Sequence, residues 1–148
     1  MGEGVTRWTY DDGGRAAAWF RGNTGDCVTR AVAIATGLPY SVVYPALNAV
    51  ATTERPRAGK RRSSARTGIH RATIYRYLTS LGWEWHPTMR IGQGCRVHLR
   101  AEELPPGRLI VQLSRHVAAV VDGIVHDTHD PSRGGTRCVY GYWTQEQP

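Results

Sequence analysis

Apolar residues recur first at helical and later at strand spacing. Val28, Ala31, Val32 and Ala35 stand at i, i+3, i+4 and i+7, one stripe that predicts a helix over Cys27–Thr36. The turn-forming run Asn23-Thr24-Gly25-Asp26 leads into it with Asp26 as the N-cap residue, and Gly37 and Pro39 follow in the order that ends a helix. Val43, Leu47 and Val50 predict a second helix from Ser41 to about Ala51, with Pro45 in its tolerant first turn. Ile74, Tyr77, Leu78 and Leu81 share one face of a third, running from about Ile69 to Leu81 and closed by Gly82. Between these two, residues 52–67 carry Pro56, Gly59 and no apolar periodicity, which predicts an exposed, mobile loop.

Beyond Gly82 the period shortens. Trp83, Trp85, Ile91, Val97 and Leu99 alternate with polar residues, and Pro105-Pro106-Gly107 marks a turn. Leu109-Ile110-Val111 with Leu113 reads as a buried strand. His116–Val121 and Ile124–Asp127 read as a hairpin about Asp122-Gly123, a strong two-residue turn signal. Cys138-Val139-Tyr140 and Tyr142-Trp143 predict a last strand. The Gly-rich opening, residues 1–22, offers Trp8, Tyr10, Trp19 and Phe20 to anchor a strand or loop. Helices first and strands later is the α+β arrangement, expected here as one domain over residues 1–148.

Composition narrows the class. With 41% hydrophobic and 21% charged residues the chain is an ordinary globular one, and no apolar run reaches the roughly 18–20 residues of a membrane helix. The first residues lack the basic-then-apolar pattern of a signal peptide, so the expected location is cytoplasmic. Cys27, Cys95 and Cys138 make an odd, sparse set, which suggests free thiols in a reducing compartment; Cys95 and Cys138 read as small buried hydrophobes. The net charge of +7 is concentrated: Arg55, Arg57, Lys60, Arg61, Arg62 and Arg66 supply all but about one unit of it. Such a segment would bind nucleic acid or an acidic partner, or simply stand in solvent.

Three residues suggest chemistry. A thiol reacts as thiolate, and the unpaired N–H groups and dipole of a helix N-terminus favour that charge; Cys27 occupies such a place, approached by Gly22 and Gly25. His116 opens an otherwise apolar strand, where an imidazole needs a polar partner. A two-residue turn at Asp122-Gly123 sets Ala118 opposite Asp127 and His116 opposite His129. His116, Asp127 and His129 then share a face, while His126 and Asp130 point the other way. Asp127 is therefore the better orienting acid, although a one-residue bulge would exchange it for Asp130. A base within reach of a nucleophile and an acid fixing the base is triad logic.

A Cys heading an early helix, with a His and then an acid on a late hairpin, resembles the papain-like fold, and most nearly its small bacterial cysteine peptidases. Gly25-Asp26-Cys27-Val28-Thr29-Arg30-Ala31, Tyr77-Leu78 with Leu81-Gly82-Trp83, Ser114-Arg115-His116, Asp127-Thr128 and Val139-Tyr140-Gly141-Tyr142-Trp143 resemble, more narrowly, an uncharacterised set of small phage and mobile-element proteins. The resemblance spans most of residues 19–143. It implies a thiol peptidase or isopeptidase working in a cytoplasm, the host's if phage-encoded, on a protein or peptide substrate and without a cofactor. Relatives of papain carry a Gln six residues before the Cys; here that position is Arg21. Asn23 is the substitute oxyanion donor, beside the Cys27 backbone N–H.

Three other readings stand beside the hydrolase. Thr67–Leu78 has the look of a DNA-recognition helix following a basic loop, although no first helix of that motif precedes it. A metal site is suggested by His126-Asp127-Thr128-His129-Asp130, but His126 and His129 face opposite sides of a strand and no metal-ligand spacing occurs elsewhere. The fold would also serve as a binding module without catalysis.

Overall fold

The computed structural model describes residues 7–21 and 24–145. It is an α+β structure of three helices and a six-stranded mixed sheet. In chain order the elements are β1 (Trp8–Tyr10), α1 (Cys27–Thr36), α2 (Tyr40–Ala51), α3 (Arg71–Ser80), β2 (Trp83–Pro87), β3 (Arg108–Leu113), β4 (His116–Val121), β5 (Ile124–Asp127) and β6 (Gly141–Gln145). The strands lie side by side as β1-β5-β4-β3-β6-β2. All neighbours are antiparallel except β1 and β5, so a strand met first in the chain closes an edge built from its last third.

Side-chain alternation along the strands divides the core in two. Ile110, Val117, Ala119 and Trp143 join the apolar faces of the helices, including Val28, Val32, Leu47 and Leu78. Leu109, Val111, Leu113, Ala118, Val120 and Val125 point the other way, under Leu99, Leu104 and Val139. α1 keeps its expected limits, and Gly37 ends it in the left-handed region at φ 78°.

Several expectations need correction. α2 starts at Tyr40, so Pro45 stands inside the helix, past its first turn. Leu81 lies beyond α3 and is exposed, and Ile91 projects fully into solvent from a turn between Pro87 and the 3-10 turn at Ala101–Glu103. Cys95 and Cys138 are not separate thiols: they form a disulfide with Cα atoms 5.8 Å apart, next to the isolated bridge His98–Cys138. The long segment 88–100 thus forms no strand of its own but has a covalent tie beside a short backbone pairing, in which the Leu99 N–H donates to the Arg137 carbonyl and the Val139 N–H to the Val97 carbonyl (both 2.8 Å). Of the N-terminal aromatics, Phe20 packs against Tyr40 and Tyr44, whereas Trp8, Tyr10 and Trp19 are exposed.

The 52–67 loop is also less free than expected. Its basic tip, 55–62, is exposed throughout, but Ser63 and Ala65 are buried. The Ser63 N–H donates to Glu54 Oε1 (2.8 Å), the Ala65 N–H to Asn48 Oδ1 (2.8 Å), and the His70 N–H to Ser63 Oγ (2.7 Å). No helix is long and apolar enough to cross a membrane among the described residues.

Candidate active site

Two tight turns deliver the hairpin residues. Asp122 (φ 48°) and Gly123 (φ 80°) both take positive φ, the two-residue hairpin geometry matched to strand twist, and set Val121 opposite Ile124. Ser114-Arg115, with Arg115 at φ 55°, reverses β3 into β4 and pairs Leu113 with His116. The His is thereby the first residue of its strand, at the rim of the sheet. With the register held, His116 Nε2 lies 2.6 Å from Asp127 Oδ2. Asp130 is turned away and accepts from the Ser132 N–H (3.0 Å) and hydroxyl (2.7 Å); His126 meets Asp11 at 3.2 Å on the other side. Asp127 is the acid that His116 contacts.

Cys27 heads α1 and is half-buried, beside the same imidazole. The His116 side chain and the Val117 backbone N–H are both close enough to favour charge on its sulfur. Asp127 occupies Nε2, so Nδ1 is the ring nitrogen left for the thiol. Burial pushes the Cys27 thiol up, but the His116 hydrogen bond and charge, the Val117 N–H and the Arg30 charge together hold it below its ordinary value. Burial pulls His116 down, yet the bond to Asp127 and the bond and charge of Cys27 lift it to about 9. Against the upward pull of burial, His116, the Thr128 N–H and Arg30 keep Asp127 below the usual carboxylate range. All three shifts favour the charged forms.

Asp26 does something the sequence did not disclose. It stands at the N-cap position without capping: its carboxylate accepts from Arg30 Nη1 (2.9 Å), the Tyr40 hydroxyl (2.7 Å) and the Thr24 hydroxyl (2.8 Å). Fully buried, it anchors Arg30, whose Nη2 reaches Asp127 Oδ1 at 3.4 Å. Arg30 therefore links the two acids flanking the thiol and the imidazole; its one clue in the sequence was the i, i+4 spacing from Asp26. Gly25 also differs in role. A Cβ there would meet the Thr67 carbonyl oxygen at 2.9 Å, and its N–H donates to the Arg66 carbonyl (2.8 Å). Its missing side chain admits a neighbouring chain segment, more than it clears a path to the sulfur.

The cleft around Cys27 and His116 has a volume of about 690 Å³, and Thr67, Gly68, Ile69, Gln112 and His129 are among the residues that line it. Gln112 is a second residue missed in the sequence. Its amide donates to the Leu113 carbonyl (2.8 Å) and weakly to that of His116 (3.3 Å), steadying the turn that presents the imidazole. A smaller hollow of about 160 Å³, bounded by Trp85, Trp143 and Tyr75, opens beside it and shares Arg71, Ile74 and Gln112. Asn23 and Gly22 lie outside the described residues.

Ligand atoms of His116, Asp127 and His129 all fall within 4.8 Å of one another, a cluster that the sequence argument about His126 and His129 did not foresee. A cation there would have to break the 2.6 Å His116–Asp127 bond. The basic residues sit elsewhere. Arg55, Arg57, Lys60, Arg61 and Arg62 line a separate groove against α3, whereas Arg66 donates to the Arg21 carbonyl (2.6 Å). As for a DNA-recognition motif, the whole stretch 52–70 separates α2 from α3, where the motif needs a turn of about 3–4 residues.

No protein-family model matches the chain, and no curated protein or solved structure matches it either.

Proposed function

We propose that the chain is a papain-like cysteine hydrolase of peptide or isopeptide bonds, with Cys27 as nucleophile, His116 as acid and base, and Asp127 as the group orienting His116. One observation carries the reading: an imidazole held at 2.6 Å by a buried carboxylate lines the same open cleft as a thiol at a helix N-terminus, and favours that thiol's charged form. The raised His116 and the lowered Cys27 both favour the thiolate–imidazolium pair over its neutral form. The Cys27 sulfur attacks the carbonyl carbon of the amide, and its oxygen takes the negative charge beside the Cys27 backbone N–H. Asn23 is proposed as the second donor to that oxygen. The C–N bond then breaks as His116 gives its proton to the leaving amine. Water attacks the thioester, His116 accepts the water's proton, and the carboxylic acid leaves with Cys27 again a thiolate. The Trp85–Trp143–Tyr75 hollow would take an apolar substrate side chain.

The test is intact-mass labelling with iodoacetamide at pH 6–7 under non-reducing conditions. One adduct is expected on wild type, none on Cys27→Ala, and at least about tenfold slower labelling on His116→Ala. Equal rates for wild type and His116→Ala would make Cys27 an ordinary thiol and end the proposal.

A further inference from the structure

The groove beside the cleft has a volume of about 490 Å³ and runs between the basic loop and α3. Arg55, Arg57, Lys60, Arg61 and Arg62 face it from the loop, Arg71 and Arg76 from the helix. All seven are exposed, and among the described residues none has a carboxylate within ion-pair distance. The one acid in the groove is Glu54, and it is already used. Ser63 and Thr73 donate to its two oxygens and His70 Nδ1 stands 3.6 Å away. Against the upward push of burial, these partners hold its carboxyl near a pKa of about 2. Glu54 thus fastens the loop to the helix without neutralising the cations around it.

The groove and the cleft are neighbours along one stretch of chain. Thr67, Gly68 and Ile69 line the cleft, His70, Ala72 and Thr73 line the groove, and Arg71 borders both. A ligand lying over the cations would therefore pass Arg71 into the space above Cys27. Its chemistry follows from what the groove lacks. Apart from His70 no aromatic side chain lines it, so unpaired bases would find little to stack on. Carboxylates, in contrast, match exposed guanidinium groups in bidentate geometry.

We infer that the groove is the substrate's binding arm: it takes an acidic peptide segment, rich in Glu or Asp, and leads the adjoining amide past Arg71 to Cys27. The inference rests on the hydrolase reading for the fate of that amide, but the binding stands or falls separately.

Two measurements separate the two. In the first, fluorescein-labelled deca-glutamate is titrated against Cys27→Ala protein by anisotropy at 50 and 300 mM NaCl. Binding at low salt should weaken at least tenfold at high salt, and weaken at least tenfold in Cys27→Ala carrying Arg61→Glu and Arg62→Glu, both exposed positions. In the second, wild type is alkylated by octa-glutamate and by octa-lysine, each bearing an N-terminal chloroacetyl group. The glutamate reagent should modify Cys27 at least tenfold faster at low salt. Absence of deca-glutamate binding, tighter binding of deoxythymidine decamer, or indifference to the two charge reversals overturns the acidic-peptide groove. Binding with equal alkylation by both reagents overturns its connection to the cleft. Loss of all Cys27 reactivity with binding intact would sink the hydrolase reading and leave the groove standing.

Discussion

At the scale of single residues, two carboxylates do different work. Asp127 keeps His116 charged, and His116 keeps Cys27 charged, so the pH dependence of chemistry should separate from that of alkylation. Alkylation needs only thiolate: its rate should fall as pH drops through the lowered Cys27 value and stay high above pH 9. Hydrolysis of an amide also needs a proton on His116, so it should decline as pH rises through about 9. A parallel set of rates, one for iodoacetamide and one for a peptide substrate, checks the divergence at high pH. Asp26 is the structural counterpart. Asp26→Ala removes the nearer of Arg30's two buried acids and leaves Asp127 as the other, so a loss of about 1.5–3 kcal/mol in urea unfolding is expected. The sequence suggested a capping aspartate here; Tyr40, a neighbour in space only, draws the carboxylate away from the helix end.

Among the elements, the basic loop was the least legible. Without apolar periodicity it looked free, because the groups fastening it are a Glu, an Asn and a Ser whose partners lie up to 19 positions away. Glu54→Ala removes charge-assisted hydrogen bonds to Ser63 and Thr73 and should cost about 1.5–3 kcal/mol. Trypsin should then cut after Arg57, Lys60, Arg61 or Arg62 faster than in wild type, which a time course read by mass spectrometry would show. Glu54 has a lowered pKa, so its contribution is present above the ordinary carboxylate range and is lost as pH falls toward about 2. Unfolding curves between pH 5 and 2 should show wild type and Glu54→Ala converging. The helices were easier to read, because a packing stripe is local: α1 kept both predicted ends, and α3 buried Ile74, Tyr77 and Leu78 as their spacing required.

For the molecule as a whole, the disulfide is the feature the residue count hid. An odd set of cysteines argued for free thiols, yet Cys95 and Cys138 are joined across 43 positions and leave Cys27 the free one. On the chain-entropy account that closure stabilises by about 4 kcal/mol. Unfolding with and without tris(2-carboxyethyl)phosphine should differ by about 2–4 kcal/mol in wild type and by nothing in Cys95→Ser/Cys138→Ser. Cys27 should label at the same rate in both, since the disulfide lies outside the cleft lining.

The sequence alone determined what depends on neighbours along the chain: the α1 stripe, the Asp122-Gly123 turn, and from that turn the register choosing Asp127 over Asp130. Period and turn chemistry are local quantities, so a string of residues suffices to express them. Tertiary structure decided what depends on approach through space. It brought Cys27 to His116, set Arg30 between two buried acids, paired Cys95 with Cys138, and laid the cations of a distant loop beside the cleft. Those contacts arise from how helices and sheet pack, and no spacing along the chain encodes the distance between them.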